Sequence, residues 1–180
     1  MRKVVLTFGA LSGAIIVLLM FATMPLQNNP QLRNSGHLIG YTTMLIAFSM
    51  IFFAIKSYRD QHQNGEITFG KGMQIGLLIT VIASLSYAVG WEFYMKLFAP
   101  NFMDEFTSYS LAKAKESGMP EAELNALIVK YEGYKEMYKN PVIRFGMTLM
   151  EIVPVGIVMS LIPAALLRKK KFLPAEQHAI

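Results

Sequence analysis

VVLTFGALSGAIIVLLMFATM, residues Val4–Met24, carries no charged side chain. About 20 apolar residues rising ~1.5 Å each cross the ~30 Å hydrocarbon core of a bilayer, so the stretch reads as a transmembrane helix. Three later runs repeat the pattern: His37–Ile55, Gly72–Phe98 and Val142–Leu167. The second has only His37 at its edge, and the third is uncharged from Gly72 to Trp91 before it meets Glu92. In hydrocarbon every backbone polar group needs an internal partner, and apolar runs of this length find one as helices. The expected fold class is all-α, an integral membrane four-helix bundle over residues 1–171, with a short cytoplasmic tail at 172–180.

Composition fits lipid better than water. Of 180 residues, 53% are hydrophobic and 16% charged, and the mean hydropathy is +0.38. Soluble domains carry about 25% charged residues. The formal charge of +5 and pI near 9.4 raise nucleic acid as a partner. The basic residues instead gather at the ends of the apolar runs and form no patch with interleaved aromatics, which argues against nucleic-acid binding. With no cysteine, disulfides, thiol chemistry, thiolate metal sites and a lipoprotein anchor drop out. Met1-Arg2-Lys3 resembles the start of a secretory signal, yet the apolar run is too long and no small-x-small cleavage site precedes Pro25. An uncleaved first helix is expected.

Orientation follows from the short loops. Arg2 and Lys3 precede the first run, Lys56, Arg59 and Lys71 lie between the second and third, and Arg168-Lys169-Lys170-Lys171 follow the fourth. The loop between the first and second runs has only Arg33. Short positive loops stay inside, so both termini are expected in the cytoplasm and the protein in the bacterial inner membrane.

The Phe98–Pro141 connection then lies outside, and it is too long for a structureless turn. Asp104 and Glu105 open a helical segment that Gly118 stops. Pro120, Glu121 and Glu123 suit the first turn of a second helix. Leu124, Leu127, Ile128, Tyr131, Tyr134 and Tyr138 then share one face, and Lys130, Glu132, Lys135, Glu136 and Lys139 fill the other. Asn140-Pro141 ends it. The expectation is an extracytoplasmic helical hairpin over about 102–140 between the third and fourth membrane helices, resting on headgroups or capping the membrane helices.

Small residues recur four apart within the apolar runs, at Gly9 and Gly13, Gly36 and Gly40, Gly72 and Gly76, and Ser86 and Gly90. In lipid such pairs let backbones approach, so they are read as packing contacts within the chain. The sharper signal is charge inside the runs, because each ionisable group there costs several kcal/mol unless paired. Glu151 lies about 13 Å along the fourth run. Arg144, Thr148 and Glu151 fall at i, i+4 and i+7 on one polar stripe, and Glu92 has Lys96 at i+4. Pro154 frees a backbone carbonyl near Glu151. These residues (Glu151, Arg144, Thr148 and Glu92) form the candidate intramembrane polar site, with a packing role and a role in moving a cation, proton or amine both open for Glu151.

Other motifs carry little chemistry. His37, His62 and His178 lack metal-ligand spacing, and Thr68-Phe69-Gly70-Lys71-Gly72 lacks the order of a phosphate-binding P-loop. No catalytic, cofactor-binding or metal-binding residue is expected, and no enzyme.

Several short segments carry a family resemblance. They are Gly65-Glu66-Ile67-Thr68-Phe69-Gly70-Lys71-Gly72 before an apolar run with Gly76, and Gly118-Met119-Pro120-Glu121-Ala122-Glu123 in the connection. The last comprises Asn140-Pro141, Glu151, Pro154-Val155-Gly156, Ser160-Leu161-Ile162 and a basic terminus. Nearly the whole chain resembles the domain-of-unknown-function 4199 family. The resemblance implies a small bacterial four-helix membrane protein with no established activity, and it supplies no catalytic residues. Two functional classes are weighed: a scaffold or accessory subunit, and an oligomeric carrier or channel component for an ion or small solute that uses Glu151. The expected partners are the lipid bilayer and either another membrane protein or a second copy of the chain.

Overall fold

The computed structural model describes residues 1–28, 30–169 and 172–173, and among these there is no strand. The chain runs as α1 (Arg2–Thr23), a 3-10 turn at Met24–Asn28, a short α2 (Pro30–Arg33), α3 (Gly36–His62), α4 (Phe69–Leu97), α5 (Phe102–Glu116), α6 (Glu121–Lys139) and α7 (Pro141–Leu167). Of these, α1, α3, α4 and α7 are long and apolar enough to cross a membrane. They correspond to the four apolar runs of the sequence.

Local chemistry sets the helix ends. The Thr68 hydroxyl accepts the Lys71 N–H at 3.3 Å at the start of α4. Asn140 Oδ1 accepts the Val142 N–H at 2.9 Å, and Pro141 fills the first position of α7, where no N–H is needed. The helix α3 outruns its apolar stretch, continuing from Ile55 to His62. Hydropathy marks where hydrocarbon ends, whereas this helix ends where Asn64 and Gly65 turn left-handed, at φ of 50° and 82°.

The fold comprises two compact units: Met1–Ala88 with the segment from Leu149 onward, and Val89–Thr148. In the first, Ile16, Phe48, Ile51, Ile55, Ile75, Ile79 and Ile152 are completely buried. Glycines set the helix spacing. A Cβ on Gly13 would lie 2.6 Å from Ser86 Oγ, seating α1 on α4. One on Gly76 would lie 2.6 Å from Ser160, seating α4 on α7. The Gly9/Gly13 and Gly72/Gly76 pairs thus make the close approaches expected of them, whereas Gly40 meets nothing within 4 Å. Buried hydroxyls add directed ties: Ser12 Oγ donates to the Ala47 carbonyl at 2.8 Å, and Thr80 and Ser160 share a hydrogen bond of 3.3 Å.

In the second unit, α5 and α6 pack against one another through a turn at Gly118, whose φ of 76° is left-handed. Phe106 meets Tyr131 edge-on, with ring centroids 6.0 Å apart. Leu124, Leu127, Tyr131, Tyr134 and Tyr138 are half-buried, and no residue of α6 is fully buried. Lys135 departs from its expected place on the solvent face. Its stem is half-buried and its ammonium reaches Asp104 of α5 at 2.6 Å, as a long aliphatic side chain can. The Asp104 carboxylate holds this ammonium above the ordinary lysine pKa. Of the expected tail only Phe172 and Leu173 are described; residues 174–180, like Lys170 and Lys171, lie outside the described residues.

Candidate functional site

Glu92, near the end of α4, and Arg144, in the first turns of α7, form the centre of the second unit. Arg144 Nε donates to Glu92 Oε1 at 2.8 Å while Nη2 donates to Oε2, a two-pronged pair. Nη1 donates to the Tyr138 carbonyl at 2.9 Å, and the guanidinium lies 5.6 Å from the Tyr138 ring centre. The Tyr138 hydroxyl in turn accepts Trp91 Nε1 at 2.7 Å. Phe102 closes the cluster edge-on to Trp91, at 5.3 Å between centroids. Thr148 Oγ1 donates back to the Arg144 carbonyl at 3.0 Å.

This geometry changes the pairing read from the sequence. Glu92 takes Arg144 rather than Lys96, whose side chain is exposed and makes no ion pair among the described residues. A planar guanidinium matches both carboxylate oxygens at once, which a lysine ammonium cannot do. The two side chains are 18% and 25% exposed, so water screens the pair only partly. A cavity of about 650 Å³ lies elsewhere, in the first unit; here a cavity of about 570 Å³ opens beside the pair, with Val89, Phe93, Lys96 and Phe145 in its wall. The clasp is charge-balanced and offers no nucleophile beside a base.

Glu151 does not join it. Nε, Nη1 and Nη2 of Arg144 each donate to Glu92 or to the Tyr138 carbonyl, and no bond to Glu151 is among them. In the first unit Glu151 is exposed on the chain's surface, next to Met150, which is 79% exposed. It makes no hydrogen bond or ion pair among the described residues, and His37, itself exposed in the first turn of α3, lies within electrostatic reach of it. Three of the four candidate residues therefore come together in the second unit, and Glu151 belongs to the first.

Arg59 is the polar centre that sequence reasoning passed over as a loop cation. It is completely buried. Its guanidinium donates to Asp60 Oδ1 at 2.7 Å and to the carbonyls of Phe172 at 2.9 Å and Leu167 at 3.5 Å, as well as to that of Leu173. Asp60 also accepts Lys56 Nζ at 2.7 Å. A signal was present: continuing the helical spacing of Ile51 and Ile55 by one more turn lands on Arg59. Among the described residues no three His, Asp or Glu side chains gather to hold a metal ion.

A family model described as "Protein of unknown function (DUF4199)" matches residues 7–169. No curated protein and no solved structure matches the chain.

Proposed function

From the premise that the chain belongs to the DUF4199 family, proteins of unknown function, we propose that it is a scaffold or accessory subunit of a membrane assembly. The observation that carries this reading is the outward-facing Glu151. It stands ten residues beyond Pro141, about 15 Å along α7, near the middle of a ~30 Å hydrocarbon core. A carboxylate at that depth costs several kcal/mol unless something meets it. Among the described residues it has no hydrogen bond or ion pair, only the exposed His37 within electrostatic reach, so a polar or basic group on a neighbouring membrane helix is the natural complement. The apolar interior of the first unit, with Ile16, Phe48, Ile79 and Ile152 at zero exposure, favours contact over conduction through one protomer.

The reading also takes the four long helices as a bundle in the bacterial inner membrane, with both termini in the cytoplasm and the α5–α6 hairpin outside. The basic residues Arg2, Lys3, Lys56, Lys71, Arg168 and Lys169 at the same ends support it. A cysteine introduced at Ser117 of this cysteine-free chain is expected to react with an impermeant maleimide in intact cells, and one at Asn64 is not. The reverse labelling pattern would overturn the orientation.

Purification from native membranes in mild detergent tests the role. The wild type is expected to retain a stoichiometric partner. Glu151→Leu should keep its helicity and melting temperature yet recover about tenfold less of it, the scale of one intramembrane polar contact. Full recovery with Glu151→Leu would remove Glu151 from the contact. The second reading, a carrier, draws on the proximity of His37 to Glu151. It requires a lone oligomer whose liposomes pass protons or cations until Glu151→Gln is introduced.

A further inference from the structure

We propose that the cavity at the α3–α4 turn binds the phosphate of an anionic phospholipid headgroup. The cavity measures about 650 Å³ and is lined by Gln63 and Asn64 just after α3, by Glu66 and Thr68 in the connection, by Lys71 in the first turn of α4, and by Arg168 directly after α7. Two cations face one acid, so the wall is net positive. Lys71 Nζ spends one bond on the neutral amide of Gln74, at 3.2 Å, and neither Lys71 nor Arg168 has an acidic partner among the described residues. The Gln63 and Asn64 amides and the Thr68 hydroxyl supply neutral hydrogen bonds of the kind phosphate oxygens accept.

The backbone of the turn is held in place. The N–H groups of Gln63 and Gly65 both donate to the carbonyl of Arg59, at 3.2 Å and 3.1 Å, and the Arg59 side chain is itself fully buried. These bonds fix the course of the chain that carries the Gln63 and Asn64 amides.

Location decides between a lipid and a soluble phosphate. The cavity lies where three membrane-crossing helices begin or end: α3 stops at His62, α4 starts at Phe69 and α7 stops at Leu167. The apolar run of α3 ends at Ile55, so the end of the helix lies about 10 Å further out, in the layer where phospholipid phosphates are concentrated and where basic pockets between membrane helices take headgroups. Phe69, exposed and next in sequence to the lining residue Thr68, gives an acyl chain an apolar neighbour.

This inference requires that the helices cross a bilayer but is independent of the partner reading, since its test uses purified protein alone. Delipidated protein in neutral detergent is titrated with phosphatidylglycerol, phosphatidylcholine, diacylglycerol and free glycerol phosphate, with bound lipid counted by native mass spectrometry. Phosphatidylglycerol is expected to bind most tightly and diacylglycerol least. Lys71→Gln and Arg168→Gln should each weaken phosphatidylglycerol about fivefold, and about 25-fold together. The charge-matched pair Lys115→Gln with Lys130→Gln, on the α5–α6 hairpin, should leave it unchanged. Equal weakening by the hairpin pair, or no preference for phosphatidylglycerol over diacylglycerol, would overturn the site. Glycerol phosphate binding as tightly as the lipid would overturn the lipid as its occupant.

Discussion

Gly156→Leu should leave almost no folded protein. A Cβ at Gly156 would lie 2.3 Å from Thr80 Cγ2, 2.7 Å from Thr80 Oγ1 and 3.0 Å from Phe48 Cζ. Neither neighbour can retreat: Phe48 is at zero exposure and Thr80 at 1%, the latter held by Ser160. Extra methylenes in a tight core cost about 1–3 kcal/mol, and a whole isobutyl group at a helix–helix contact should exceed that range. Against a total stability of about 5–15 kcal/mol the loss is decisive. Size-exclusion and thermal melting in detergent provide the measurement. A monodisperse variant melting like the wild type would show that α7 is not seated on α4 at this glycine. Gly40→Leu is the control, since nothing lies within 4 Å of that Cβ, and it should melt as the wild type does.

Arg59→Ala should be nearly as damaging, at about 3–5 kcal/mol, the scale of removing one partner from a buried charged network. The substitution strands the carbonyls of Leu167, Phe172 and Leu173 without their donor and opens a cavity the size of a guanidinium and its stem. Asp60 keeps Lys56 and so escapes full isolation. Arg59→Met, which refills the volume without the donors, should recover part of the loss, and the gap between the two variants measures what the hydrogen bonds contribute. Unfolding of both in mixed micelles at wild-type denaturant would mean that the guanidinium is hydrated and the network idle.

These two sites differ in how far the sequence revealed them. The four long helices were legible because hydrocarbon thickness fixes the length of an apolar run, and the α5–α6 hairpin because Gly118 and Pro120 punctuate it. Gly13 and Gly76 were legible as packing residues through their spacing. Gly156 is not legible in this way, because what makes it critical is Thr80 on another helix, a contact no local pattern encodes. The candidate polar site was half legible. The cost of charge in lipid marks Glu92 and Arg144, and helical spacing adds Thr148, but proximity in sequence, the only guide to pairing there, points Glu92 to Lys96. The actual partner lies 52 residues away, and the guanidinium's forked geometry, not its distance along the chain, selects it. Glu151 was recognised for its depth; that it faces outward depends on which side of α7 the other helices leave uncovered. Arg59 was obscured because the apolar run stops at Ile55 and the helix does not.

The carbonyl acceptors of Arg59 lie 108 to 114 residues further along the chain. A ribosome has therefore released the second apolar helix long before any of those carbonyls exist. Throughout that interval the nascent protein holds an arginine with three of its four partners still to be synthesised. The order of synthesis thus differs from the order of completion: α3 is made early, but its buried end is finished only when the last turn of α7 and the residues behind it arrive.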